Sequence, residues 1–311
     1  MLERSASEDQ IARLRLIRSD NIGPVTYFQL LARFGSAGAA LDAIPDLAAR
    51  GGGRAPKLVA RGVVEREMEA VAALGARYLF LGQGLYPPLL AELETAPPAL
   101  IVKGHLSLLE KPAIAMVGAR NASAAACRFA RQLARQVGEA GAVIVSGLAR
   151  GIDTAAHDGA LESGTIAVIA GGIDIFYPPE NEDRQRAIAE RGLLIAEQPP
   201  GVEPRAQGCN QLIREGATLI QNAEDVLETI RPFALRPLAQ KGLDYRAPAA
   251  SPDTSEAERR IVADLLSPTP VSVDEIIRQS GLPPAAVQTV LLELELAGRL
   301  ERHAGGRVSL A

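Results

Sequence analysis

Apolar residues along the chain change their spacing from one region to the next. Over residues 1–72 they recur at helical spacing, with short polar breaks between the runs. One break, Asn21-Ile22-Gly23-Pro24, precedes a helix predicted over Tyr27–Phe34 that ends at Gly35. Two short strand-like runs follow within residues 73–112, which we interpret as a connecting segment. The first 72 residues are therefore predicted to form a small helical domain.

Residues 113–231 alternate between short, wholly apolar runs and amphipathic helices. Strands are predicted over Ala113–Val117, Ala142–Val145, Thr165–Ala170, Leu193–Ala196 and Ala217–Ile220. Helices are predicted over Ala124–Val137, Thr154–Glu162, Glu182–Glu190 and Ala223–Ile230. Strands that are apolar on both sides are typical of a parallel sheet covered by helices. This region is predicted to be an α/β, Rossmann-like, doubly wound domain.

The last part of the chain predicts a linker and a third domain. Residues 232–253 are rich in Pro, Ala and polar residues, as linkers are. Residues 254–311 contain three predicted helices, over Glu256–Leu266, Val273–Gln279 and Pro284–Leu296. Two strand-like runs then flank Gly305-Gly306. Three helices followed by a two-stranded wing are the pattern of a winged helix.

Composition and charge narrow the classes of function. The net charge of −4 argues against a protein whose whole surface coats nucleic acid, but it leaves room for a local basic patch. Aromatic residues make up only 4% of the chain, so base stacking is not expected to dominate any nucleic-acid contact. Cys127 and Cys209 lie far apart and outside any ligand-like cluster, so no disulfide, metal or cofactor is expected. No membrane-spanning or secretory run is visible, and we expect a cytoplasmic protein.

The loop after the first strand of the α/β region carries candidate chemistry. It runs from Val117 to Ser123, at the edge of the sheet where such folds bind ligands. Gly118 permits close backbone approach, and Arg120 supplies a fork of donors that suits a phosphate. Ser123 is a predicted N-cap of the following helix. An ordinary loop with a surface arginine is the alternative interpretation.

The loop after the second strand is a stronger candidate for an anion site. Ser146 and the amides near Gly147 and Gly151 are predicted to form an anion nest, to which Arg150 adds positive charge. Asp153 is predicted as the N-cap of the next helix. These residue types in this order predict phosphate binding without an obvious catalytic group.

Two further loops are weaker candidates for the same site. Gly171-Gly172 follows the third strand, where it either lets a ligand approach or makes a tight turn. Asn210, within Gln207–Gln211, is a candidate amide donor. A triad of Ser146, His157 and Asp153 is conceivable, but no nucleophile elbow accompanies it. Neither a GxGxxG fingerprint nor a P-loop is present.

These motifs together resemble the DNA-processing protein A family, called DprA or Smf. The runs that carry the resemblance are VGARNAS from Val117, VIVSGLARGIDTAAH from Val143, AVIAGGID from Ala167, GLLIAE from Gly192 and QGCNQLI from Gln207. The resemblance extends over the helical N-terminal region, identified as similar to a SAM or helix-hairpin-helix domain, and over the winged helix. In a helix-hairpin-helix, the turn at Gly23 would face a DNA phosphate. A plain helical bundle is the alternative.

The resemblance implies a dimeric, non-enzymatic protein that binds single-stranded DNA and loads the RecA recombinase during natural transformation. By the same analogy, Arg120, Ser146, Gly147 and Arg150 would line the DNA phosphate pocket. The chain departs from the family after Arg205, which joins Ala206 directly where the family has about two further βα units. Ala119 also replaces the family's usual Ser. We therefore expect an exposed apolar sheet edge and weakened DNA binding, or a remnant of the family.

Two other functions remain as alternatives. A winged helix suggests a transcription factor, but residues 254–311 contain six Arg and no Lys against eight Asp and Glu. A helix that reads DNA needs phosphate-neutralising charge, so a protein-contact or auxiliary role is favoured. The second alternative is a Rossmann-like nucleoside monophosphate phosphoribohydrolase. Its Pro-Gly-Gly-x-Gly-Thr loop is missing, because Gly171-Gly172 continues as Ile173-Asp174.

Overall fold

A computed structural model describes residues 2–93, 95–202, 223, 254–303 and 305–311. The helices are α1 (Leu2–Arg18), α2 (Pro24–Phe34), α3 (Ala37–Arg50), α4 (Arg61–Ala73), α5 (Pro88–Ala91), α6 (Ala124–Glu139), α7 (Ile152–Ala160), α8 (Glu182–Arg191), α9 (Glu256–Asp264), α10 (Val273–Ser280) and α11 (Pro284–Leu296). The strands are β1 (Arg77–Phe80), β2 (Ala99–Gly104), β3 (Ala113–Ala115), β4 (Val143–Ser146), β5 (Thr165–Ile169), β6 (Leu193–Ala196), β7 (Val271–Ser272), β8 (Leu300–His303) and β9 (Arg307–Leu310). Short 3₁₀ helices cover Leu106–Glu110 and Pro179–Asn181.

The described residues fall into two compact units. The first unit contains residues 2–65, 95–98 and 254–311, and the second contains residues 66–93, 99–202 and 223. The helical region and the winged helix, which the sequence presents as separate domains, thus share one unit. The strand predicted over Ala217–Ile220, the helix predicted over Ala223–Ile230 (apart from Ala223 itself) and the linker at 232–253 lie outside the described residues.

The second unit is built on a six-stranded sheet in the order β1-β2-β6-β5-β4-β3. Strands β3 to β6 are parallel neighbours joined by helices, which confirms the predicted α/β, Rossmann-like class. Strands β1 and β2 pair antiparallel, and β2 pairs antiparallel with β6. Residues 73–112 are therefore more than the connection that we expected, because they extend the sheet. The apolar run at the centre of this region forms β2, whose first four residues are buried in the sheet.

Both faces of this sheet bury apolar side chains, but some apolar side chains of one face are exposed. On one face Ile101, Ala167 and Leu194 pack against helices, including Ile188 of α8. On the other face, the described part of the chain leaves Val168 of β5 47% exposed. Strand β3 is the outer strand among the described residues, and two apolar side chains near its end and on the following helix are also about half exposed, Val117 and Phe129. Because the strand predicted over Ala217–Ile220 lies outside the described residues, the exposed apolar edge stays a prediction.

The first unit has two connected cores. Helices α1–α3 bury a cluster that includes Leu16, Tyr27, Leu30 and Ile44. Helix α2 ends at Gly35, whose φ of 75° allows its N–H to bond the Leu31 carbonyl. The winged helix has a second core, and β7 adds a third strand to the predicted wing. No helix in the described part of the chain is both long and apolar enough to span a bilayer.

Candidate functional site

The carboxyl ends of β3, β4 and β5 lie side by side, because these strands are parallel neighbours. We call residues 116–123, which join β3 to α6, the β3 loop, and residues 147–151, which join β4 to α7, the β4 loop. Parallel α/β sheets bind ligands beyond these strand ends. The structure therefore brings the two main predicted motifs together at one edge.

Two glycines allow the loops to pack directly on one another. Gly151 has a φ of 76°, and a Cβ atom there would lie 2.2 Å from the Ala119 carbonyl oxygen. A Cβ atom on Gly118 would lie 2.7 Å from Cγ1 of Ile152. The N–H of Ile152 also donates a hydrogen bond to the Ala119 oxygen, at 3.3 Å. Gly151 thus allows close approach of the β3-loop backbone, whereas Gly118 makes room for the Ile152 side chain at the start of α7.

Asp153 contacts backbone amides of both loops. The structure corrects the prediction that it caps α7, since Gly151 is the N-cap and Asp153 lies in the first turn. Its side chain is buried and accepts a hydrogen bond from the Ala149 amide at 3.3 Å, and the amides of Gly147 and Gly118 also stabilise its charge. Burial raises the pKa of Asp153 above its ordinary value, and these amides counteract that rise. The protein's own carboxylate therefore lies beside the Gly147 amide that we predicted to face a phosphate.

Asn181 holds the β4 loop from another side. Its buried Nδ2 donates to the Leu148 carbonyl oxygen at 2.8 Å. Leu148 needs this support because its φ of 57° is unusual for a side-chain-bearing residue. Thr154 also stabilises the loop, because its hydroxyl donates a hydrogen bond to the Ala149 carbonyl oxygen at 2.8 Å. Sequence reasoning missed both side chains, and the only signal for Asn181 is its place directly after a Pro-rich turn.

Ser146 is tied into the sheet. Its side chain is buried, and its hydroxyl donates to the Met116 carbonyl oxygen at 2.6 Å. A serine hydroxyl has one proton, so in this arrangement none remains for a phosphate oxygen. The conceivable triad is also not assembled, because Asp153 contacts backbone amides and His157 bonds to Thr165.

His157 is a buried neutral side chain. Its Nδ1 lies 2.7 Å from the Thr165 hydroxyl, which itself donates to the Ile144 carbonyl oxygen. The hydroxyl must then accept, so Nδ1 carries the proton. Burial lowers the pKa of His157 to about 4. These contacts give His157 a structural role between α7 and the sheet.

The two predicted arginines of the site are exposed. Arg120 lies exposed on the β3 loop, and Arg150 on the β4 loop is 60% exposed. The Arg150 Nε lies 3.5 Å from an oxygen of Glu180. An ion pair this exposed contributes little to the stability of the protein. Ser123 caps α6 as predicted, since its Oγ accepts from the Ala126 amide. The positive end of α6 therefore follows the loop that carries Arg120.

The glycines of the third loop approach other backbone. Gly171 and Gly172 are buried, and the Gly172 amide donates to the Val202 carbonyl oxygen at 2.8 Å. A Cβ atom on Gly172 would lie 2.5 Å from the Pro199 oxygen. The group that approaches Gly172 is therefore the chain segment at Pro199–Val202, and the two interpretations made from sequence stay open. Asn210 lies outside the described residues.

The described residues contain no group of three or more His, Cys, Asp or Glu side chains that could hold a metal ion. Cys127, on α6, is a free and partly buried thiol. Cys209 lies outside the described part of the chain.

Sequence models of three domains match this chain. Residues 77–207 match DNA recombination-mediator protein A, and residues 7–70 match the DprA-like N-terminal HHH domain. Residues 246–306 match the DprA winged helix domain. The three matches follow the order of the regions inferred from sequence.

Individual relatives show the same similarity. A DprA-type protein of Mycobacterium tuberculosis is 32% identical over 250 residues, which is 62% of this chain and 63% of that protein. The chain thus covers slightly less than two thirds of that relative. The DNA processing protein DprA of Streptococcus pneumoniae is 45% identical over 121 residues, 38% of this chain and 43% of its own length. The protein Smf of Escherichia coli is 29% identical over 290 residues, 72% and 75% of the two chains.

Two solved structures are similar to parts of the chain. The DNA processing protein A of S. pneumoniae has a TM-score of 0.48 and 28% identity, covering 55% of this chain and 78% of its own. The DNA processing protein A of Helicobacter pylori has a TM-score of 0.38 and 31% identity, covering 42% and 59%. The latter is described as having a single-stranded DNA binding mode.

Proposed function

The chain belongs to the DNA-processing protein A family, DprA or Smf, and from this we propose that it binds single-stranded DNA at the paired β3 and β4 loops. The DNA is bound through its phosphates, and Arg120 and Arg150 are the principal contacts. No chemical step is assigned to the site. The protein acts by binding and handing on DNA.

The packing of the two loops is the observation that carries the proposal. Gly151 lies directly against the Ala119–Arg120 backbone, so Arg120 and Arg150 project from a single joined surface. A DNA strand carries regularly spaced phosphates, and two arginines held on fixed loops match such a ligand better than a single mobile one would. The loops therefore need little ordering when the strand binds.

The electrostatics of the site favour an anion. The two arginines and the N-terminus of α6 are positive and accessible. Asp153, whose charge is influenced by Arg120, is buried beneath the loops and accepts a hydrogen bond from the Ala149 amide. Glu180 competes for Arg150, but both side chains of that pair are more than half exposed, so a phosphate displaces it at small cost.

We place this binding in the cytoplasm during DNA uptake, where the protein shields the incoming strand and helps to load RecA. The family relationship supports this role and also supports a homodimer. The exposed apolar side chains near β3, Val117 and Phe129, are consistent with a further contact at that edge. The Arg205–Ala206 junction, where the chain lacks about two βα units of the family, lies outside the described residues, and we propose that the loss of these units weakens the binding.

Fluorescence anisotropy with a labelled single-stranded oligonucleotide tests the proposal. The protein is titrated at about 50 mM and about 200 mM salt, beside Arg120→Ala, Arg150→Ala and a control, Arg135→Ala. Arg135 is an equally exposed arginine of α6 that pairs only loosely with Glu139. Each site variant should weaken binding and reduce the salt slope by about 0.7, as expected for one lost contact to a single strand. Arg135→Ala should leave both unchanged.

A folded protein that does not bind the oligonucleotide at the lower salt concentration would overturn the proposal and favour a remnant. Equal losses in all three variants would mean that binding is a property of overall charge. The RecA step is tested separately, by following recombinase assembly on the same strand with and without the protein. Sedimentation at several concentrations tests the dimer.

A further inference from the structure

The third helix of the winged helix, α11, is buried over most of its length after its first turn. In helix-turn-helix proteins this helix is the one that enters the DNA major groove, so it is normally exposed along one face. Here eight of its 13 residues are buried: Val287, Thr289, Val290, Leu291, Leu292, Glu293, Leu294 and Leu296. A helix that is apolar around its circumference is an interior helix. From Val287 to Leu296, α11 is therefore largely covered by protein, and only its start, Pro284 and Ala285, is exposed.

The covering surface is the N-terminal helical domain. Val287, Val290 and Leu294 pack into the core of the winged helix itself. Leu292 and Leu296, one helical turn apart, pack instead into the core formed by α1–α3. Helix α11 thus connects two hydrophobic cores. A recognition helix that is free to enter DNA would pack only into the core of its own winged helix.

Polar contacts continue the same interface around its rim. The Gln29 amide of α2 donates to the Gln288 oxygen of α11 at 2.8 Å. Arg33, also on α2, donates to the Thr289 hydroxyl at 3.2 Å. Arg299, just beyond α11, donates to the Gly51 carbonyl oxygen at 3.0 Å. The contact therefore has an apolar centre and a hydrogen-bonded margin, as specific protein interfaces do.

Two glycines after α3 provide the space for α11. A Cβ atom on Gly51 would lie 2.1 Å from the Glu293 carbonyl oxygen, and one on Gly53 would lie 2.4 Å from the Ala297 oxygen. The φ of Gly51 is −70°, which any residue adopts, so its backbone conformation does not require glycine. What requires glycine here is the close approach of α11.

The charge of α11 also fits a protein partner. The helix carries Glu293 and Glu295 and no basic residue. Both carboxylates are neutralised within the unit, Glu293 by Arg259 and Glu295 by Arg302. A helix in a DNA groove needs positive charge to offset the phosphates, and α11 offers none.

We infer that α11 is a protein-docking helix whose partner is the surface of α2, α3 and the Gly51–Gly53 turn in the same chain. The winged helix then serves as a brace for the helical domain and does not read duplex DNA. This inference rests on the first unit alone and is independent of the proposed single-stranded DNA site.

Cross-linking of the full chain tests the docking. Gln29→Cys and Gln288→Cys are introduced after Cys127→Ser and Cys209→Ser, and the protein is treated with a short bismaleimide. We expect rapid cross-linking within one chain, since the two native side chains are in hydrogen-bond contact. Gly51→Ala should slow the reaction at least about fivefold, the effect of even a modest free-energy change. Gly38→Ala is the matched control, because a Cβ atom there meets nothing within 4 Å.

If Gly51→Ala fails to fold, Arg299→Ala replaces it as the milder variant. Cross-links that join two chains would overturn the assignment of the partner to the same chain. Equal rates in Gly51→Ala and Gly38→Ala would overturn the docking itself. The cross-linked protein is then titrated with a duplex oligonucleotide. Duplex binding unchanged by the cross-link supports the inference, whereas binding weakened by tenfold or more would show that α11 is a DNA-reading helix.

Discussion

Gly151 and Ala119 lie in such close contact that a single added methyl group on Gly151 would overlap the Ala119 carbonyl oxygen, 2.2 Å away. This relationship joins the end of β3 to the start of α7, two points that are distant in sequence. The positions of Arg120 and Arg150 therefore depend on one another. A change that separates the loops should affect both arginines together.

Gly151→Ala is expected to weaken single-stranded DNA binding at least about tenfold, corresponding to about 1.4 kcal/mol. The new Cβ atom both overlaps Ala119 and occupies a positive φ. Gly141→Ala is the control that separates steric overlap from backbone strain. Gly141 has a φ of 95°, but a Cβ atom there meets nothing within 4 Å. The control should lose about 1–2 kcal/mol of stability from backbone strain and retain DNA binding. Equal binding losses in the two variants would contradict the role of loop packing.

Asn181→Ala is expected to lower the free energy of unfolding by about 1–3 kcal/mol, because the Leu148 carbonyl oxygen loses its partner in a buried place. DNA binding should also weaken, since Leu148 lies inside the β4 loop that carries Arg150. Urea denaturation measures the first effect and anisotropy the second. A stable variant with normal binding would show that the loop holds its shape without Asn181.

His157 should make the stability of the protein depend on pH. Burial lowers its pKa from 6.5 to about 4, so below pH 6.5 the unfolded chain takes up a proton that the folded chain does not. The stabilisation is complete above pH 6.5 and is lost as the pH falls towards 4, by up to about 3 kcal/mol. Denaturation at pH 7.5 and pH 5, beside His157→Gln, measures it. The variant should show a smaller difference between the two pH values, and an equal difference would assign the effect to other groups.

Arg259→Ala is expected to destabilise the protein by about 3 kcal/mol or more, because Glu293 is left without its partner while its side chain is 1% exposed. Replacing both residues with Met should recover most of the loss. Arg278→Ala is a suitable control, since Arg278 is 72% exposed and pairs with a nearby glutamate of the same helix. That control should change the free energy of unfolding by less than about 1 kcal/mol. Denaturation in urea provides the comparison.

Much of the fold could be predicted because its elements have strong local patterns. The run Leu193–Ala196 is apolar throughout and forms β6 with the predicted bounds, and Pro284–Leu296 is likewise confirmed as a helix. Strand β7, Val271–Ser272, was not predicted, since two residues are too short to show a period. The place of β1 and β2 in the sheet was missed because antiparallel pairing with β6 is a long-range contact.

The candidate site was predicted less completely than the fold. Motif spacing correctly brought Gly118 and Gly151 to one edge, because parallel strands end together. It assigned Asp153 to the helix cap and the Gly147 amide to a ligand. Whether an amide faces solvent or a buried carboxylate depends on the direction of a side chain, and residue order does not specify that direction. Asn181 was missed for the same reason.

The contact between α11 and the helical domain has a consequence for synthesis of the chain. Gln29 and Gln288, which bond across it, are 259 positions apart in sequence. The apolar surface of α1–α3 that receives Leu292 and Leu296 is thus made long before its cover. While the ribosome extends the chain at roughly 5–20 residues per second, that surface stays open for many seconds. The exposed apolar surface of these early helices is therefore open to aggregation during synthesis.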